Sequence, residues 1–362
     1  MQRNEVFNSI TQTFEDKYLG LGREVGEEFM YSVASYNIQQ FQQPEFRIRR
    51  HLCLYYPAGW LKSSILMKFN DILGKQNCSF TSDLTLAAMR GSVECGQFVV
   101  PSTLKSPFAV ATEFGQMVNP DSQDLVQKLL NVLEEGVVSV SLVKIGQLDK
   151  IARLDAEAKY PGLKFIDQNT FTYKTNWILF AGTYAKKYLV DNALESRFIV
   201  CSPMEHLTPE LVKHVNNSRP FNELIDVDAV ITLQSMLKEN SNIDMKVILP
   251  DEVYHRKEPI TVRESAQLIS YVLARRWYGI DTTTEDIIAT AEKYHKNSMA
   301  VWSSSEDMIF NVLMKEPGKE YTLEDIANTT RLSRLQTYNS LRKLGVSPYI
   351  HPESAKKVYK LS

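Results

Sequence analysis

Apolar residues along the first fifty positions recur at helical spacing. Phe7, Ile10, Phe14, Leu19, Leu21, Val25, Phe29 and Val33 fall on one face, and the Gln-rich stretch 39–44 ends the run at Pro44. A short apolar run, Leu52, Cys53, Leu54 and Tyr55, then predicts a strand that stops at Pro57-Ala58-Gly59. Behind Lys62-Ser63 the spacing becomes helical again with Ile65, Leu66 and Phe69. Further along, a hairpin is predicted through Gly96, an apolar strand over 107–114 and a helix over 124–135 closed by Gly136. Residues 137–144 alternate as a strand does, and 177–183 read as another, buried strand ending in Thr183. A helix-like stretch over 193–198 runs into Ile199-Val200-Cys201. Strands alternating with helices predict an α/β fold with a parallel sheet.

From 208 to 295 the spacing is helical, with breaks near Asn240, Asn242 and Pro250. One helix is predicted to start at Ile260-Thr261-Val262-Arg263, and Thr282-Thr283-Thr284-Glu285-Asp286 caps another. Ser303-Ser304-Ser305 marks a linker, after which three short helices and a two-stranded wing over 346–361 are expected. The pattern thus predicts three domains: an α/β domain over 1–205, a helical domain over 206–300 and a winged helix over 303–362.

Composition narrows the classes. The 362 residues are 44% hydrophobic and 23% charged, as globular chains are, and the formal charge of -2 excludes a uniformly basic nucleic-acid coat. No apolar run approaches the roughly 18 residues of a membrane span, and the N-terminus has no signal-peptide core, so a cytoplasmic protein is expected. Cys53, Cys78, Cys95 and Cys201 have no CxxC spacing and are expected to be buried thiols. Positive charge is concentrated at the end: residues 326–362 carry Arg331, Arg334, Arg342, Lys343, Lys356, Lys357 and Lys360 against one acid, Glu353. A helix-turn-helix with a basic wing suits nucleic acid, although the same shape also serves protein contacts.

Chemistry gathers at the turn after the first strand. Backbone N–H groups at a helix N-terminus face an anion, Lys62 adds a point charge and the Ser63 hydroxyl can ligand Mg²⁺. The phosphate-loop pattern GxxxxGK[ST] is half present: Tyr56 and Leu61 stand at the two glycine positions, and Gly59 is the flexible point between them. The alternative is an ordinary strand-turn-helix with an exposed Lys. A nucleotide hydrolase also needs acid at the end of a neighbouring strand; here Thr112-Glu113 puts a hydroxyl on the metal side and a carboxylate at the water-activating position.

In their order, these pieces resemble the AAA+ core of the minichromosome-maintenance (MCM) helicases, from about residue 15 to 362. Tyr56-Pro57-Ala58-Gly59-Trp60-Leu61-Lys62-Ser63, followed by Ser64, looks like the Walker A motif, and Asp83-Leu84-Thr85-Leu86-Ala87-Ala88 like the helix-2 insert. Thr112-Glu113-Phe114-Gly115-Gln116-Met117 is similar to Walker B, and 138–144 resembles the presensor-1 hairpin that carries a Lys, here Lys144, into a central DNA channel. Thr183 falls at the sensor-1 position, Glu195-Ser196-Arg197-Phe198 looks like the arginine-finger motif, and 260–264 is similar to the start of the sensor-2 helix, with Arg263. Thr112 and Thr183 depart from the family's Asp and Asn, the segment 145–175 is longer than its hairpin return, and its N-terminal oligonucleotide-binding domain is missing.

The resemblance implies an AAA+ P-loop sheet with a helical lid and a C-terminal winged helix. It further implies an ATP- and Mg²⁺-dependent, helicase-like enzyme of DNA replication that works as a hexameric ring. Residues 56–64 would bind nucleotide, with Ser63 and Thr112 on the metal side. Lys62, Glu113 and Thr183 would act with Arg197 and Arg263 of a neighbour. Lys144, Arg331, Arg334, Arg342, Lys343, Lys356 and Lys357 would meet DNA. Two alternatives keep the same shape: a non-catalytic or nucleotide-gated DNA-binding or assembly protein, and a regulator that remodels a protein partner.

Overall fold

A computed structural model describes residues 1–44, 47–56, 61–81, 89–112, 114, 123–142, 148–183, 196–202, 208–240, 242–255, 260–302, 309, 312–313, 319–330, 332–343, 346, 348–350 and 357–359. The chain forms two compact units, Met1–Asn297 and Ser298–Ser362.

The first unit opens with α1 (Arg3–Gln42), β1 (His51–Tyr55), α2 (Lys62–Leu73) and β2 (Cys78–Thr81). The hairpin of β3 (Ser92–Glu94) and β4 (Gln97–Val99) follows, turning at Cys95-Gly96, where both residues have positive φ. Then come α3 (Ser102–Lys105), β5 (Phe108–Ala111), α4 (Gln123–Glu134), β6 (Val137–Ser141), α5 (Lys150–Lys159), β7 (Lys164–Phe165), β8 (Thr170–Lys174), β9 (Ile178–Thr183) and β10 (Phe198–Cys201). The helices α6 (Pro209–Asn217), α7 (Phe221–Leu224), α8 (Val227–Met236), α9 (Asp251–Tyr254), α10 (Val262–Trp277) and α11 (Thr284–Trp302) complete the series.

Five strands make the central sheet, in the order β10-β1-β9-β5-β2. Every neighbouring pair is parallel, so all five C-terminal ends lie along one edge and all five N-terminal ends along the other. Strands β1, β5, β9 and β10 are buried almost throughout, which is why their sequences read as continuous apolar runs. The alternating stretch that begins at Val137 does not join this sheet. It stops at Ser141 as β6 and forms a separate antiparallel sheet, β6-β8-β7, because its polar face stays outside. The charged segment after it forms α5, capped by Asp149 and with no buried residue. Phe198 opens a strand instead of ending a helix, with Ser196-Arg197 in the turn before it, while 191–195 lie outside the described residues.

The helical stretch 208–295 shares one hydrophobic core with the sheet, so the expected boundary near 205 is not a break in packing. The organiser is α1. It reverses at Leu19 (φ 54°, ψ -147°), so its two arms pack on each other and on the sheet face. Phe14 from the first arm and Phe29 from the second both meet Phe69 of α2, the latter stacked at 4.4 Å. Leu19, read from spacing as part of the apolar face, is 40% exposed because it sits in that reversal. Buried polar groups tie the helices together. The Asn37 side chain donates to the Met236 and Glu239 carbonyls and accepts from Trp277 Nε1. Arg50 pairs with Glu28 at 2.6 Å, donates to Tyr294 and to the Gln267 carbonyl, and so joins α1, β1, α10 and α11.

The second unit places β11 (Tyr321–Thr322), α12 (Leu323–Thr330), α13 (Arg334–Lys343), β12 (Tyr349–Ile350) and β13 (Lys357–Tyr359) around Ile309, Leu313, Ile326, Leu341 and Tyr359. Its sheet has three strands, β11-β13-β12, since Tyr321-Thr322 adds to the expected pair.

Candidate functional site

Along the C-terminal edge of the sheet, β1 ends at Tyr55 opposite Thr183 of β9, and α2 begins seven residues later in the chain at Lys62. Lys62 is buried, and its stem crosses the end of β9 at Gly182. A Cβ at Gly182 would stand 2.9 Å from Lys62 Cδ, 2.9 Å from the Thr112 carbonyl oxygen and 2.7 Å from Leu66 Cδ1. Only glycine leaves that crossing open. Thr112 and Thr183 are both buried at the same edge, so one lysine and two strand-end threonines share it, with Ser63 in the first turn of α2. The N–H groups of that first turn have no partner within the helix, as at any helix start. Leu61, at the N-cap, has φ 34°, so the backbone keeps a left-handed turn where the phosphate-loop pattern has glycine.

Tyr56 differs from its expected role. Its ring is fully buried in the core and its hydroxyl enclosed, so it serves sheet packing, while its backbone N–H donates to the Thr183 carbonyl at 3.1 Å. Ser64 is exposed, 3.4 Å from the Tyr18 hydroxyl. Pro57, Ala58, Gly59, Trp60 and Glu113 lie outside the described residues.

The N-terminal edge carries a second constellation. Arg197, just before β10, and Arg263, in the first turn of α10, both donate to the carboxylate of Glu134 at the end of α4; the Arg263 contact is 2.9 Å. Arg263 also donates to Ser196 Oγ. Around them a cleft of about 510 Å³ is lined by Arg47, Arg49, His51, Val262 and Gln267 among others. Burial, and then nearby Arg263, lowers the Arg197 guanidinium to about 10.

Beneath the cleft, Arg49 donates to the carbonyls of Leu133, Glu134, Trp177 and Thr175, so it caps the α4 C-terminus and closes the loop before β9. Burial, with Arg47 adding, pushes Arg49 down to about 9. His51 Nδ1 accepts from the Leu179 N–H at 3.1 Å and Nε2 lies 3.0 Å from the Leu133 carbonyl, which fixes a neutral ring with the proton on Nε2. Burial, then Arg49, opposed by the Leu133 bond, and lastly Arg197 take His51 to about 3.

The sequence separates Arg197 from Arg263 by 66 positions, and the structure brings them onto one carboxylate. Glu134, Gly182, Arg49 and His51 escaped the motif reading. For Gly182 a signal existed, a glycine inside an otherwise apolar strand; for Glu134 none did, since an acid near a helix end is ordinary surface. Glu195 lies outside the described residues, as do Lys144, Arg331 and Lys356. In the second unit Arg334, Arg342 and Lys357 are exposed, and of Lys343 only the backbone, at the end of α13, is described. Cys53, Cys78 and Cys201 are buried free thiols, whereas Cys95 is exposed in its hairpin turn. Among the described residues no group of three or more His, Cys, Asp or Glu side chains could hold a metal, and no helix is long and apolar enough to cross a membrane. Compared with models of known families and with curated proteins, the chain matches none.

Proposed function

We propose that the chain is an MCM-like AAA+ ATPase that acts on DNA as a ring of copies, hexameric as the resemblance implies. Nucleotide would bind at the β1–α2 turn and be completed by Arg197 and Arg263 of a second copy. The observation that carries this is the opposition of the two constellations on one parallel sheet. Strands of four to six residues put roughly 15 Å between the edges, more than an arginine side chain spans, so these arginines do not reach the turn of their own chain. The sheet order, with β1 between β10 and β9, sets the turn at the point where the connections diverge, the position at which open parallel sheets bind ligands.

The donor set fits a magnesium nucleotide. A lysine stem lies in a groove that a Cβ at Gly182 would fill, and the nearby side-chain donors are hard hydroxyl oxygens, which suits an ion that keeps several waters and takes few protein ligands. Bound Mg·ATP supplies the phosphoryl group and the counter-charge for its transfer. Lys62 would neutralise phosphate charge, Ser63 would ligand the ion, Thr112 would hydrogen-bond one of its waters, and Glu113, next in the chain, would polarise the attacking water. On the second unit, exposed Arg334, Arg342 and Lys357 suit phosphate contacts with duplex DNA.

A second use of the same shape, a nucleotide-gated DNA-binding scaffold, is favoured by one feature: Thr112 and Thr183 are hydroxyls where a fast site has a carboxylate and an amide. Each replacement costs about 1–3 kcal/mol of stabilisation, so turnover some tenfold to a few thousandfold below a full site is expected. Nucleotide affinity and turnover, measured side by side with and without duplex DNA, test the proposal. Wild type should bind Mg·ATP and turn it over slowly with stimulation by DNA, Lys62→Ala should lose binding, and Glu113→Gln should bind without turnover. Binding with no Glu113-dependent turnover would leave the scaffold, and no binding at all would remove the nucleotide site.

A further inference from the structure

Arg197 and Arg263 already hold an anion, the Glu134 carboxylate. Glu134 Oε1 is 2.9 Å from Arg263, its other oxygen is bonded to Arg197, and the carboxylate thus bridges two guanidinium groups that would otherwise face each other as like charges. Helix stability does not account for an acid at this place. Glu134 ends α4, where the carbonyl end of a helix disfavours a negative side chain and where the Leu133 and Glu134 carbonyls are already satisfied by Arg49 and His51.

We propose that Glu134 is a latch: it occupies the Arg197–Arg263 clamp in place of the incoming anion and is displaced when a second copy presents a phosphate. The latch rests on the ring arrangement proposed above. Its holding strength suits displacement on the Arg263 side, where the two side chains are 36% and 48% exposed and an ion pair so open to water is weak, while Arg197, 10% exposed, stays in place as the fixed half of the clamp. A phosphate offers more charge and several oxygens to the same planar donors, and Arg47 and Arg49 line the same cleft. In the isolated chain the latch keeps the clamp from capturing stray anions; at an assembled interface it swings out and gives up its bonds to both arginines.

The test uses the full-length chain in a Lys62→Ala background, which silences the phosphate turn, and titrates inorganic tripolyphosphate by calorimetry. Glu134→Gln, and Glu134→Ala as a second variant without a competing amide, should bind about three- to tenfold tighter than the parent, and the gain should vanish when Arg263→Ala is added. Unchanged or weaker binding in both variants, or a gain that survives Arg263→Ala, overturns the latch. The ring arrangement is read separately, from turnover in mixed Arg197→Ala and Lys62→Ala chains. A Glu134 gain without such turnover keeps Glu134 as the occupant of the Arg197–Arg263 clamp but overturns its displacement by a second copy; turnover without the gain keeps the ring and overturns the latch.

Discussion

His51 begins β1 and sits directly beneath the arginine cleft, with both ring nitrogens committed to backbone groups. Its folded pKa of about 3 lies below the ordinary value of about 6.5, so the unfolded chain takes up a proton that the folded chain refuses. The stability this contributes is full above pH 6.5 and is lost as pH falls toward 3, by about 2 kcal/mol at pH 5. Urea unfolding at pH 7 and pH 5 should show that loss in wild type and much less of it in His51→Gln; an equal loss in both would place the titration elsewhere. At this scale the sequence singled out Arg197 and Arg263 by residue type, and the structure brings both onto one carboxylate. The sequence was illegible where the backbone does the work. Leu61 hides a left-handed backbone behind a residue that rarely adopts one, so matching by residue identity overlooks a position whose conformation is that of a glycine.

The helix-spaced face of residues 1–42 was readable, but its reversal was not, since Leu19 carries no turn signal of its own and only Gly20 and Gly22 beside it hint at one. The reversal depends on Gly22. A Cβ there would overlap the Phe14 carbonyl oxygen, backbone against backbone, with no flexible side chain to yield. Gly22→Ala should therefore force the two arms of α1 apart and cost about 3 kcal/mol in urea unfolding. A loss below about 0.5 kcal/mol, the range of an ordinary surface substitution, would contradict this packing. Strand β6 teaches a related lesson. Its alternation was correctly a strand signal, but period alone does not say which sheet a strand joins; a polar face excluded it from the buried parallel sheet.

Across the first unit, the buried Glu28–Arg50–Tyr294 cluster fixes α10 and α11 against the sheet, and with them the position of Arg263. Burial alone would raise the Glu28 carboxyl, but Lys293 and then Arg50 outweigh it and hold it below the usual carboxylate range. One core therefore spans what the sequence divides at 205, because the cluster's members are 22 to 266 positions apart and no local pattern links them. This rigidity makes the opposition of the two sheet edges a property of the whole unit, and a strict consequence follows. A chain with an intact phosphate turn and a chain with intact arginines should complement each other. Equal amounts of Arg197→Ala and Lys62→Ala chains, each inactive alone, should give about one quarter of interfaces with both parts intact and recover turnover in proportion. Recovery on mixing is the outcome this account predicts; a mixture that assembles as wild type does yet hydrolyses no faster than either variant alone would contradict it.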